Sequence, residues 1–183
     1  MGLIYNLKMI LKYIFIFFIL LTPTFLLADP WLIDQDDNFI TLKKNGEIQH
    51  GNNIHFNFDR NNGCKFNVFF FIYTMQDIQK PLWQIYEERS IDLILGGTPI
   101  SGLLSYSSEF GLGQIAGIYV SRDVPLSEHF IDITEEMLEG NFMKMRINLE
   151  HHQYFDIPDE QWDFTNIKTH LNKAHSICVA QLI

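Results

Sequence analysis

The sequence predicts an α+β, mostly β domain: an antiparallel sandwich or curled sheet of about seven strands, with a C-terminal amphipathic helix pinned to it by a disulfide. Three observations predict this. Several short segments alternate apolar and polar residues with a period of two, the pattern of half-buried strands. Near the C-terminus, Ile167, Leu171, Ala174 and Cys178 recur at four, three and four residues, one face of a helix. Cys178 ends that stripe, and the only other cysteine, Cys64, stands just before the most apolar strand candidate.

The N-terminus sets the redox context. Residues 1–28 carry Lys8 and Lys12 but no acid, an apolar run from Tyr13 to Leu27 broken only by Thr22, Pro23 and Thr24, and then Ala28 before Asp29. A basic start, a short apolar stretch and a small residue at the break are the layout of a secretory signal peptide. The uncharged run is shorter than the roughly 20 residues of a spanning helix, so no stable membrane span is expected after cleavage. An uncleaved N-terminal anchor is the competing reading. The expectation is a leader over 1–28 and one exported domain over 29–183, in the periplasm or outside the cell. An oxidising compartment favours pairing of Cys64 with Cys178, the single connectivity available.

Elements of the exported part follow in order. Phe39 to His50 reads as a hairpin turning at Lys44-Asn45-Gly46-Glu47, since Asn-Gly suits a primed turn. Ile54, Phe56 and Phe58 alternate with polar residues, a half-buried strand. Val68 to Tyr73 is apolar without alternation, which suggests a central strand covered on both faces. Pro81 could open a short helix through Trp83 and Ile85, or the stretch could be loop. Ile91 to Leu95 is a strand candidate. Gly96 to Gly117 holds six glycines, read as turns and a mobile loop around Leu103-Leu104, with a strand resuming over Ile115 to Ser121. Asp132-Ile133-Thr134-Glu135 has capping-box spacing, with Gly140 placed to stop the helix. Met143, Met145, Ile147 and Leu149 alternate as a further strand, and an acidic linker with Pro158 leads to the terminal helix.

Charge and motifs narrow the function. Beyond residue 28 the chain carries 11 basic and 22 acidic residues, a formal charge of −11, which argues against nucleic acid, whose phosphates need a concentrated basic face. The aromatic content of 14% is not that of a disordered chain. Seven histidines invite a metal, but the spacing is wrong. His50 and His55 face opposite sides of a strand, His151 and His152 are neighbours, and His170 and His175 lie about 140° apart on a helix. Asp34-Gln35-Asp36-Asp37-Asn38 opens like a calcium loop, then places Phe39 where glycine is required and Asn45 where the bidentate glutamate belongs. No nucleophile elbow occurs, and Gly111 to Gly117 lacks dinucleotide spacing, so no cofactor is expected. Asp156, Asp159, Glu160 and Asp163 gather beside Tyr154, Phe155 and Trp162. They read as a solvated acidic connection, or as one side of a sugar cleft. Asp132, Glu135, Glu136 and Glu139 read as a solvated helix face. The functional expectation is a non-enzymatic binding or interaction module whose partner is a protein or envelope component, acting through an edge strand or the glycine-rich loops. The alternative is an envelope-directed hydrolase of carbohydrate or peptide.

Overall fold

The computed structural model describes residues 31–49, 51–76, 81–86, 90–124, 126–127, 134 and 136–182. The expected leader lies outside the described residues. Nine strands form one antiparallel sheet, curled into a half-barrel. They are β1 (Leu32–Gln35), β2 (Phe39–Asn45), β3 (Asn53–Asp59), β4 (Lys65–Thr74), β5 (Ser90–Leu95), β6 (Thr98–Phe110), β7 (Gly113–Val124), β8 (Phe142–Ile147) and β9 (Asp159–Asp163). Their order across the sheet is β1-β2-β3-β4-β7-β6-β5-β8-β9. Among the described residues two α-helices, α1 (Leu82–Ile85) and α2 (Ile167–Ala180), accompany them, with 3-10 turns at Arg60–Asn62 and Leu149–Tyr154. Leu149, expected to continue the alternation of β8, instead opens the second turn and is exposed.

The count of nine corrects the expected seven, and the differences have physical causes. The return strand expected between the Lys44–Glu47 turn and His50 is not found at Ile48 and Gln49, and His50 lies outside the described residues. Asn45 still pairs with Asn53, so β2 ends at Asn45 and Gly46 opens the loop, where the backbone N–H of Glu47 donates to the Gln161 carbonyl of β9 at 2.9 Å. Three strands were read as something else. β1 is a short edge strand whose residues face mostly solvent. β6 occupies the stretch read as a mobile glycine-rich loop; Gly96 and Gly97, both at positive φ, make the turn before it, and Gly111 the turn after it. β9 occupies the acidic linker, where Glu160 and Trp162 point inward and Asp159, Gln161 and Asp163 outward.

One face of the sheet makes the core. Ile40 and Leu42, Ile54, Phe56 and Phe58, Phe66, Val68, Phe70 and Ile72, Ile118, Leu93, Met145 and Trp162 are buried along the concave side. Register shifts between β4 and β7 near Val68, and between β6 and β7 near Ser105, mark bulges that bend the strands and deepen the curl. α2 lies against β2 and β3, burying Ile167, Leu171, Ala174 and Cys178, the stripe read from sequence. Cys64 and Cys178 form the disulfide, with Cα atoms 5.9 Å apart. It ties the helix to the turn preceding β4. The helix expected from Asp132 lies largely outside the described residues; Thr134 and Glu136 are helical there, and Gly140 follows at φ 68°, the left-handed conformation that ends helices.

The two ends of the sheet are brought together by one carboxylate. Glu160 of β9 is 1% exposed and accepts hydrogen bonds from the backbone N–H groups of Ile48 (2.8 Å), Gln49 (3.0 Å) and Gln161 (2.9 Å) and from Asn52 Nδ2 (2.9 Å). Asn52 Oδ1 in turn accepts from the Tyr73 N–H at 2.7 Å. The β2–β3 loop is thus latched onto β9. Gly46 admits this carboxylate: a Cβ there would stand 2.4 Å from Glu160 Cδ.

Candidate functional site

The outer face of the sheet departs most from what a one-sided core requires. An antiparallel sheet packed on one side normally alternates apolar-in with polar-out. In β4 the inward Val68, Phe70 and Ile72 are buried as expected, yet the outward residues are Phe69, Phe71 and Tyr73, all half-buried. Val68 to Tyr73 was expected to be covered on both faces. Among the described residues no element lies across the outer one, so that expectation is corrected.

The neighbouring strands extend the apolar face. Register places His55 beside Phe69, Tyr119 beside Phe69, and Ile115 beside Tyr73; across β7, Leu103 stands beside Tyr119 and Ser108 beside Ile115. The rings meet: His55 and Phe71 centroids lie 4.6 Å apart, Phe69 and Tyr119 4.7 Å, Phe69 and Phe71 6.2 Å, Tyr73 and Phe110 6.3 Å. Gly117 makes room between them, since a Cβ there would sit 3.1 Å from Tyr106 Cβ and 3.3 Å from Phe71 Cε1. Toward the β6–β7 turn the face becomes open. Tyr106 is 50% exposed, Phe110 66% and Leu112 94%.

The face is electrically quiet. Burial, and then the nearby Lys43 ammonium, lower the His55 pKa to about 4 against a smaller opposing pull from Asp34, so the ring is neutral at pH 7. Lys43 itself pairs with Asp34 on β1. Toward the middle of this side the polar atoms include uncharged amides and hydroxyls (Tyr119 Oη donates to Asn67 Oδ1 at 3.5 Å, and Ser105 Oγ to the Gly117 carbonyl at 3.1 Å), while Lys43 with Asp34 and Asp59 beside Lys65 lie at its margin.

The residues singled out from sequence for chemistry are placed elsewhere, each in a local bond. Asp156 accepts from the Met75 N–H at 3.3 Å, Asp159 from Arg146 Nε at 2.6 Å and Asp163 from the Thr165 N–H at 2.8 Å, while Glu160 holds the latch. Glu139 pairs with Lys144 at 2.6 Å, Glu136 is exposed, and Asp132 and Glu135 lie outside the described residues. Asp36 closes the β1–β2 turn by accepting from the N–H groups of Asn38 and Phe39, each at 2.8 Å; these bonds hold its carboxyl below the usual range.

The histidines scatter likewise. The Asp92 N–H donates to His151 Nε2 at 3.3 Å, which puts the proton of a neutral ring on Nδ1, 2.9 Å from Tyr86 Oη. Burial, then Tyr154 and Glu150, push the Tyr86 phenol up, so the hydroxyl stays protonated beside His151. His152 Nε2 bonds the Ile147 carbonyl at 2.8 Å, and His170 and His175 lie beside Trp31 and Phe58 of the core. His50 lies outside the described residues. Among the described residues there is no group of three His, Cys, Asp or Glu that could hold a metal, and no helix long and apolar enough to cross a membrane.

Sequence reasoning named the β4 aromatics and missed their use. The signal was present, since Phe69, Phe71 and Tyr73 alternate with Phe70 and Ile72; reading the run as doubly covered hid it. Comparison of the chain with protein-family models, with curated proteins and with solved structures finds no match.

Proposed function

We propose that the protein is a non-enzymatic binding module of the periplasm or extracellular space that docks onto another protein through the outer face of β3, β4, β7 and β6. The observation that supports this reading most is the run of aromatic rings from His55 to Phe110 on a face that no described element covers. Contiguous exposed apolar surface is costly to maintain and marks interaction sites. Aromatic side chains are also those that dominate interface energetics, through large buried area at small entropic cost.

The chemistry of the partner follows from the rings and the charge. Only Phe69 and Phe71 lie nearly parallel, at 22°; the rings on either side tilt away, His55 by 51° from Phe71 and Tyr119 by 60° from Phe69. They offer no broad flat platform for stacking bases or sugar rings. A chain with a formal charge of −9 also disfavours a second copy of itself and favours a partner whose apolar patch is rimmed by lysine and arginine.

The double variant Tyr106→Ser/Phe110→Ser tests it. Both side chains are exposed, so the fold is expected to keep its stability within about 1 kcal/mol. Gel filtration of the native exported fraction, read with an antibody to the chain, is expected to show a complex larger than 21.5 kDa that the double variant loses. An identical elution profile for parent and variant would refute the reading.

A further inference from the structure

We propose that the concave side of the sheet is a binding site for one medium-length hydrocarbon chain, a second site distinct from the outer face and independent of it. Between the middle strands and the side chains of Thr134 and Met137 lies a partly open cavity of about 230 Å³. Ile54, Phe56, Phe70, Ile100, Val120 and Met143 line it, and Thr134 is the one polar residue among the described lining residues. α2 does not fill it, because the helix lies toward β2 and β3 and its disulfide holds it there.

Native interiors hold few voids larger than a single water molecule. Water gains little here: an ordered buried water needs two to four polar partners, and apolar cavities of about 150 Å³ stay dry while accepting benzene. A space half as large again, on the same scale, takes roughly nine carbons. Two of the lining side chains are also adaptable, since Met137 and Met143 are unbranched thioethers that repack around a guest. A hydrocarbon chain, free or carried on a lipid, is the ligand chemistry that matches this volume and lining. A charged or strongly polar ligand would lose its hydration with nothing to replace it.

Calorimetric titration of the purified chain with straight-chain alcohols from hexanol to dodecanol tests the proposal. Each added methylene is expected to tighten Kd about fourfold while it enters apolar space, and the gain is expected to stop near nine or ten carbons. Ile100→Phe is expected to bring that plateau to a shorter chain and Ile100→Ala to move it to a longer one. If the larger side chain prevents folding, the smaller still carries the test. Dioctanoyl phosphatidylcholine below its micelle concentration separates the sources: binding comparable to octanol supports a lipid-borne chain, and binding of alcohols alone supports a free one. No binding at any length would overturn the proposal. So would a plateau indifferent to both Ile100 variants, which would place the chain elsewhere on the molecule.

Discussion

Removing the Glu160 carboxylate should destabilise the protein far more than removing any other acid of its strand. In Glu160→Ala the N–H groups of Ile48 and Gln49 and the Asn52 amide lose an acceptor inside a site that is 1% exposed at Glu160. Hydrogen bonds to a charged group contribute about 1.5–3 kcal/mol each, and a stranded buried donor costs about 1–3 kcal/mol. Three such donors, partly relieved by water entering the vacated volume, give an expected loss of about 4 kcal/mol. At about 2–4 °C per kcal/mol for a chain of this size, the melting temperature falls by about 8–16 °C. Glu160→Gln keeps one acceptor oxygen but turns an NH₂ toward donors, so about half that loss is expected. Asp159→Ala, one residue away, removes an exposed ion pair with Arg146 and should cost under 1 kcal/mol. Urea unfolding followed by tryptophan fluorescence reads all three, with buried Trp162 in the same strand as reporter. Hydrogen exchange should show the Ile48 and Gln49 amides losing protection in Glu160→Ala. A loss below 1 kcal/mol for that variant, or equal losses for Glu160→Ala and Asp159→Ala, would refute the latch.

Three further outcomes are expected. Because the folded pKa of His55 is lowered to about 4 from an ordinary 6.5, the unfolded chain binds more protons between these values; stability falls as pH drops through that window, by on the order of 3 kcal/mol, and His55→Phe should flatten the slope. A slope unchanged by the substitution, measured as urea midpoints at pH 7, 5.5 and 4.5, would contradict it. Reduction of the Cys64–Cys178 bridge, which closes a separation of 114 residues, should lower stability by roughly 4–5 kcal/mol on the chain-entropy account; a urea midpoint unmoved after mass spectrometry confirms both thiols would refute that. Gly46→Ala should destabilise as severely as Glu160→Ala, and less so in a Glu160→Ala background, since its Cβ collides with that carboxylate. Additive losses in the urea midpoints would show that the two residues do not meet.

Much of the fold was legible because it is periodic. The alternation of Ile54, Phe56 and Phe58, that of Met143, Met145 and Ile147, and the helical stripe ending at Cys178 are local patterns, and the structure keeps them. What was misread depends on distant residues. Asn45-Gly46 looks like a tight turn, but Glu160, more than a hundred positions later, captures the loop beyond it and moves the return strand to Asn53. β9 looks like a solvated linker because three of its five residues are Asp, Asp and Gln, and only Glu160 and Trp162 face inward. β6 looks like loop because glycine density suggests turns; Gly102 and Gly117 lie inside strands, where close neighbours leave no room for a side chain. The candidate site was half legible. Its aromatic residues are conspicuous in sequence, but which side of β4 the rest of the chain covers is a property of the packed sheet alone.

The central claim is that the outer aromatic face meets another protein. The most direct measurement is photo-crosslinking in living cells with a benzophenone amino acid placed at Tyr106 on that face, and at exposed Lys173 on α2 as the control. The account predicts one discrete crosslinked species from position 106, heavier than the chain by a single partner, and none from position 173. Crosslinks of equal yield at both positions, or none at position 106, would contradict it.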